Sequence, residues 1–301
     1  FIEQIMQQMQ FEAQKKKLNQ AIEAMVKRSR IPVERLGIVV GLSGDTEDSI
    51  YNLNGKKKMI PASVTKIMTA ATALEKLPLG YKFTTTLSSS GSVSGNTLKG
   101  DLYLRGGGDA GFVSESMWFL VNNFTRNQIT TIEGDIAVDD SFFDTVRFDP
   151  GRDPARNDEP YDAPIGAMSF NWSAVSIFAR PAAEAGQPAK IFLDPDTSYL
   201  RVVNKSKTVK GNRNSIAFSR RPSTDKNFIE EIYVSGEIGV ESAEVNDYRS
   251  ITQPEIWAGY NLKEFLRQRG ITVTGKIKVG KAPTSAKTLA EVKSKPVADQ
   301  V

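Results

Sequence analysis

GLSGDTEDSIYNLNGKKKMIPASVTKIMTAATALEKL, residues 41–77, decides how the chain is read. Apolar runs flank a polar turn between Gly37 and Gly55, which predicts a β-hairpin. Pro61 then ends the extended backbone, Ser63 stands near a helix start, and Ala-rich helix formers follow. Inside that start lies Ser63-Val-Thr-Lys66. On a helix, positions i and i+3 share one face with Cβ atoms about 5–6 Å apart, so the Lys66 amine can reach the Ser63 hydroxyl. A lysine at its ordinary pKa of about 10.4 is a poor base near neutrality. Burial and the positive end of a helix both disfavour its charged form. The same helix start offers the Ser63 backbone N–H to a developing oxyanion. A Ser–Lys pair at the start of a buried helix is therefore a coherent acyl-transfer site.

Composition narrows the alternatives. The 301 residues contain no Cys and no His. This excludes a disulfide framework, a thiolate metal site, a Ser-His-Asp triad and any imidazole base. Covalent catalysis must then rest on Ser, Thr, Lys, Asp, Glu or Tyr. A net charge of +4 is too diffuse to point to nucleic acid. Absence of Cys fits the periplasm and fits the cytoplasm nearly as well.

Outward from residues 41–77, Phe11 to Arg28 reads as an amphipathic helix, with Leu18, Ile22, Met25 and Val26 on one stripe and Lys15, Lys16 and Lys17 mostly off it. It is read as a surface helix packed on a core, with a basic helix resting on a membrane surface as the alternative. From about Phe83 to Val240 short strand-like segments dominate, interrupted by a helix at 114–124 and a polar Pro-rich loop at 151–164. A helix returns near Pro254 and ends at Gly270, and the strand ITVTGKIKVG follows. The layout implies an α+β core interrupted by a β-rich insertion.

Several other patterns are decoys. Ser223-Thr-Asp-Lys226 repeats the spacing inside a charged run, where nothing desolvates the lysine, and reads as a solvated loop. Gly106-Gly-Gly108-Asp-Ala-Gly111 satisfies G-x-G-x-x-G, but the preceding strand alternates like a half-exposed one and the next helix starts late, near Ser114. It reads as a tight turn needing positive φ rather than a nucleotide site. Asp139 with Asp140, and Glu230 with Glu231, are adjacent and in a strand would face opposite ways. Trp118, Trp172 and Trp257 are expected to pack in cores.

The run at 41–77, with LKGDLYLRGGGDAGF (98–112), IEGDIAVDDSFFD (132–144), YNLKEFLRQRGITVTGKIKVG (260–280) and SKPVADQV (294–301), resembles the class C low-molecular-mass penicillin-binding proteins. These are the S13 D-alanyl-D-alanine carboxypeptidases/endopeptidases, and the resemblance runs from about Gly37 to Val301. It implies a β-lactamase/transpeptidase-like catalytic domain, incomplete in this chain and interrupted by a β-rich insertion. The implied division is 1–80 first part of the catalytic domain, 81–160 an inserted subdomain, 161–250 an inserted β-rich subdomain, and 251–301 a return into the catalytic domain. It also implies that Ser63 is the nucleophile and Lys66 the general base, with no metal or organic cofactor. Implied partners are peptidoglycan muropeptides, with β-lactam antibiotics as covalent inhibitors. The location implied is the periplasm, with a signal peptide removed before residue 1.

The family pattern also expects S-x-N and K-[ST]-G. Neither K-T-G nor K-S-G occurs in the 301 residues, and S-x-N occurs only at Ser94-Gly-Asn96 and Ser169-Phe-Asn171, neither in the expected place. The expectation is that the remaining motifs lie beyond Val301. A shortened, non-catalytic module that binds cell wall or a partner is the alternative.

Overall fold

The computed structural model describes residues 2–42, 49–153 and 158–301. Two compact units divide at Thr72/Ala73, inside the helix that follows Ser63.

The first unit begins with helix α1, Ile2–Ser29, longer at its N-terminal end than the sequence stripe indicates. Only Ile22 of that stripe is buried, while Leu18 and Met25 are exposed, so the helix packs on a core less than the pattern implied. Strands β1 (Ile38–Gly41) and β2 (Ser49–Leu53) pair antiparallel, with Ile38 opposite Leu53, as the hairpin reading requires. The turn between them, 43–48, lies outside the described residues. Asn54, with φ +54°, closes β2, and its side-chain amide donates to the carbonyls of Val33 and Leu36 at 2.9 Å each. A 3-10 turn, Ala62–Thr65, leads into α2, Lys66–Lys76.

The second unit holds the core. Its strands are β3 (Thr84–Ser89), β4 (Ser92–Ser94), β5 (Thr97–Lys99), β6 (Leu102–Arg105), β7 (Thr131–Glu133), β8 (Ile136–Asp139), β9 (Ala174–Arg180) and β10 (Lys190–Asp194). They continue with β11 (Leu200–Asn204), β12 (Lys207–Val209), β13 (Ala217–Pro222), β14 (Glu230–Ser235), β15 (Glu237–Gly239) and β16 (Val245–Ser250). The last three are β17 (Thr272–Val273), β18 (Ile277–Val279) and β19 (Lys287–Lys293). The helices are α3 (Ser114–Thr125), α4 (Pro254–Gln268) and α5 (Val297–Gln300).

A five-stranded sheet runs β18-β8-β6-β3-β19, and α3 and α4 pack against it. A four-stranded sheet runs β17-β7-β5-β4. Smaller sheets centre on β9, with β10 and β16, and on β14, with β11 and β13. Leu87, Leu102, Leu104, Phe124, Ile136, Trp257 and Leu262 are fully buried. Each such side chain contributes roughly 1.5–3 kcal/mol relative to leaving it in water.

The sequence division makes 251–301 a return into the catalytic domain. In the second unit this segment pairs with strands of 84–139: β17 runs parallel to β7, β18 parallel to β8, and β19 antiparallel to β3. Alternating apolar residues show that a segment is a strand, but not which strand it will pair with.

Candidate active site

Ser63 and Lys66 meet. The Lys66 Nζ donates to Ser63 Oγ at 2.9 Å, the one-turn approach that the spacing requires. Ser63 is the second residue of the 3-10 turn and Lys66 opens α2, so the amine reaches back over the helix start. The Val64 N–H is already bonded to the Pro61 carbonyl at 3.0 Å, and the N–H groups ahead of it in such a turn are the ones that can face an anion. Pro61 is helical in backbone, but Ala62 has φ +44°. That left-handed backbone costs a residue with a Cβ about 1–2 kcal/mol. Nothing in the sequence flags Ala62, because alanine carries no preference for this region.

The surroundings differ from the expectation. The pair was read as sitting at the start of a buried helix, yet Ser63, Lys66 and every residue of α2 escape full burial, and Ile67 and Met68 are about two-thirds exposed at 65% and 67%. Ile60 and Val64 beside the pair are exposed as well, at 94% and 62%.

The second S-x-x-K behaves as a loop. Ser223 Oγ donates to the Asp225 carbonyl at 2.9 Å and accepts from the Asp225 N–H at 3.1 Å, a local turn that occupies the hydroxyl. The two S-x-N copies are also structural. Gly95 and Asn96 form the two-residue loop between β4 and β5, with φ +57° at Gly95. Asn171 Oδ1 accepts from the Ser114 N–H at 3.0 Å and its Nδ2 donates to Ser114 Oγ at 3.1 Å, so it caps α3, whose preceding Val113 has no polar side chain to do so. Asn171, Trp172 and Ser173 all have positive φ.

The glycine-rich turn sits between β6 and α3, and β6 is parallel to β8 beyond that helix, a closer match to a nucleotide crossover than its alternation suggested. Its backbone is nevertheless taken up by the protein. The Gly106 N–H donates to the Asp139 carbonyl at 3.1 Å and the Gly108 N–H to the Ala167 carbonyl at 3.0 Å, while a Cβ at Gly107 would strike the Thr84 carbonyl. Gly108 has the positive φ, +85°. Burial pushes the Asp109 carboxyl of this turn up, partly offset by the Gly111 N–H that it accepts at 2.9 Å.

The adjacent carboxylates do part. Burial would raise Asp139, but hydrogen bonds from Ser141 and the Ala282 N–H, with Arg105 nearby, outweigh it and hold this carboxyl low. Asp140 pairs instead with Arg147 and the Met168 N–H. Glu230 bonds Arg220 at 2.6 Å, and Glu231 bonds Arg201 at 2.7 Å. The tryptophans divide: Trp257 is buried and donates to the Phe170 carbonyl at 3.2 Å, but Trp118 and Trp172 are exposed rather than packed in a core. Among the described residues, no group of three or more acidic side chains converges as a metal site would need. Nor, among them, is any helix long and apolar enough to cross a membrane.

The profile of the D-Ala-D-Ala carboxypeptidase 3 (S13) family matches residues 18–301. The chain belongs to that family. The D-alanyl-D-alanine carboxypeptidase of Actinomadura sp. (strain R39) is 28% identical over 273 residues, covering 88% of this chain and 49% of that protein. The D-alanyl-D-alanine carboxypeptidase DacB of Haemophilus influenzae is 24% identical over 252 residues, covering 83% of this chain and 51% of that protein. The S13 chain thus spans about half the length of these relatives. The crystal structure of penicillin-binding protein 4 (DacB) from H. influenzae superposes with a TM-score of 0.66 at 22% identity, over 83% of this chain and 55% of that one. A second structure of that protein, in complex with a β-lactam, gives a TM-score of 0.60 at 21% identity. The likeness fixes the fold of the S13 chain as α+β and transpeptidase-like, with an insertion.

Proposed function

We propose that this S13 protein is a periplasmic serine DD-peptidase of peptidoglycan. Ser63 Oγ attacks the carbonyl between two D-alanines, or that of a D-Ala–diaminopimelate cross-link, and the Lys66 amine accepts its proton. The hydrogen bond now drawn from Nζ to Oγ runs the other way in that step. The amine leaves with a proton, an ester forms on Ser63, and water hydrolyses it to regenerate the hydroxyl. The Ser63 backbone N–H faces the developing oxyanion. A β-lactam acylates the same hydroxyl. The observation that carries this reading is the 2.9 Å approach of Lys66 Nζ to Ser63 Oγ at a helix start, in a chain with no histidine to serve as base.

The test is labelling with a fluorescent penicillin. Wild-type protein takes the label and Ser63→Ala does not; equal labelling of both rejects the assignment. A non-catalytic wall-binding module is the second reading, favoured by the exposure of the pair. It predicts cosedimentation with peptidoglycan and no label on either protein.

A further inference from the structure

Two clefts of the second unit lie beside α4. One, of about 370 Å³, runs under the end of α4 and along residues 270–273. The other, of about 620 Å³, continues along 274–277 to Asn227 and Asp135. Both are lined by Ser198, Tyr260 and Lys263, so they are two ends of one trough.

Its lining is rich in neutral hydrogen-bonding groups: the hydroxyls of Thr197, Ser198, Thr272 and Thr274, and the Asn227 amide. Tyr260 is half-buried at the junction, held edge-on against buried Tyr199 at a centroid distance of 5.8 Å. It therefore offers an apolar ring whose orientation is already fixed. The charges around it are mostly engaged. Glu264 pairs with Arg267 at 2.7 Å, Asp135 with Lys278 at 2.9 Å, and Lys263 Nζ donates to the Gly275 carbonyl at 2.9 Å. Phosphate or nucleic acid would need several free cations, and Lys276 is the one lining cation with no ion pair or hydrogen bond from its amine shown among the described residues. A ligand with many hydroxyl and amide groups and an apolar ring face matches the lining better.

We propose that this trough binds a β-1,4-linked N-acetylhexosamine strand, with one sugar ring on Tyr260. It lies away from Ser63 in sequence and gives the second unit a task of its own: holding the glycan while the peptide is processed. The assignment to wall glycan rests on the peptidoglycan reading above.

The full chain is titrated with tetra-N-acetylchitotetraose and, separately, with wall glycan strands stripped of peptide, while backbone amide shifts are followed. Maltotetraose is the control. Shifts at Ser198, Lys263 and Thr274 with either N-acetylated ligand, and none with maltotetraose, support the trough. Response to both extends the ligand to any such strand, and response to wall strands alone narrows it to muramyl-containing ones. Ser198→Trp fills the junction from an exposed position, and it should weaken binding by at least about tenfold without changing the melting temperature. No shifts, equal shifts with maltotetraose, or unchanged binding by Ser198→Trp overturn it. Because the strands carry no peptide, loss of glycan binding with intact penicillin labelling rejects the trough alone. Lost labelling with intact glycan binding rejects the Ser63 reading alone.

Discussion

Ser63-Val-Thr-Lys66 and Ser223-Thr-Asp-Lys226 share a spacing and differ in backbone. In the first, a 3-10 turn running into α2 brings amine and hydroxyl to 2.9 Å. In the second, no helix forms, and the Ser223 hydroxyl closes a turn onto Asp225. Four letters become a hydrogen-bonded pair only where the chain coils through them. Pro61 and the alanines after Lys66 supply that at one site, while Pro222 and the charged run withhold it at the other.

The comparison can be broken at the hydroxyl. Ser63→Ala should abolish covalent penicillin labelling and Ser223→Ala should leave it intact, as read by in-gel fluorescence. A smaller effect separates the lysines. Lys66→Met should slow acylation by about 10²–10⁴-fold, the usual worth of a positioned base, and Lys226→Met should leave the rate unchanged in stopped-flow measurements.

Stability sharpens the contrast between the surroundings. Leu104→Ala, in the buried five-stranded sheet, should cost about 2–5 kcal/mol in urea unfolding. Ile67→Ala, one residue beyond Lys66 and exposed, should change stability by less than about 0.5 kcal/mol. Ala62→Gly should be mildly stabilising, by about 1 kcal/mol or less, because glycine adopts φ +44° without strain but adds freedom to the unfolded chain.

The smallest effect concerns Asp109. Its carboxyl is pushed up by burial, so its folded pKa exceeds its unfolded one. The neutral form is favoured on folding, and the ionised form becomes a penalty as pH rises from the unfolded pKa through the folded one. Asp109→Asn should therefore raise the melting temperature at pH 7 and lose that gain below about pH 4. A gain that persists at pH 3 would contradict this cause.

The hairpin, the helix start at Ser63, the late start of α3 at Ser114 and the positive φ in the glycine turn were all legible in the sequence, because each is set by local residues. Partner choice was not. Nothing within ITVTGKIKVG says that it pairs with β7 and β8. The exposure of Trp118 and Trp172, the capping of α3 by Asn171 from 57 positions away, and the trough beneath Tyr260 likewise depend on distant chain segments. The reach of Lys66 to Ser63 was legible from spacing alone, but their exposure was not, because burial is set by tertiary packing and not by spacing.

The most direct measurement is peptide mapping by mass spectrometry after the protein is incubated with benzylpenicillin near neutral pH. One acyl adduct on the peptide that carries Ser63, absent when Lys66 is replaced by Met under the same brief exposure, is the predicted result. An adduct on any other hydroxyl, or none on the wild-type protein, would contradict the account.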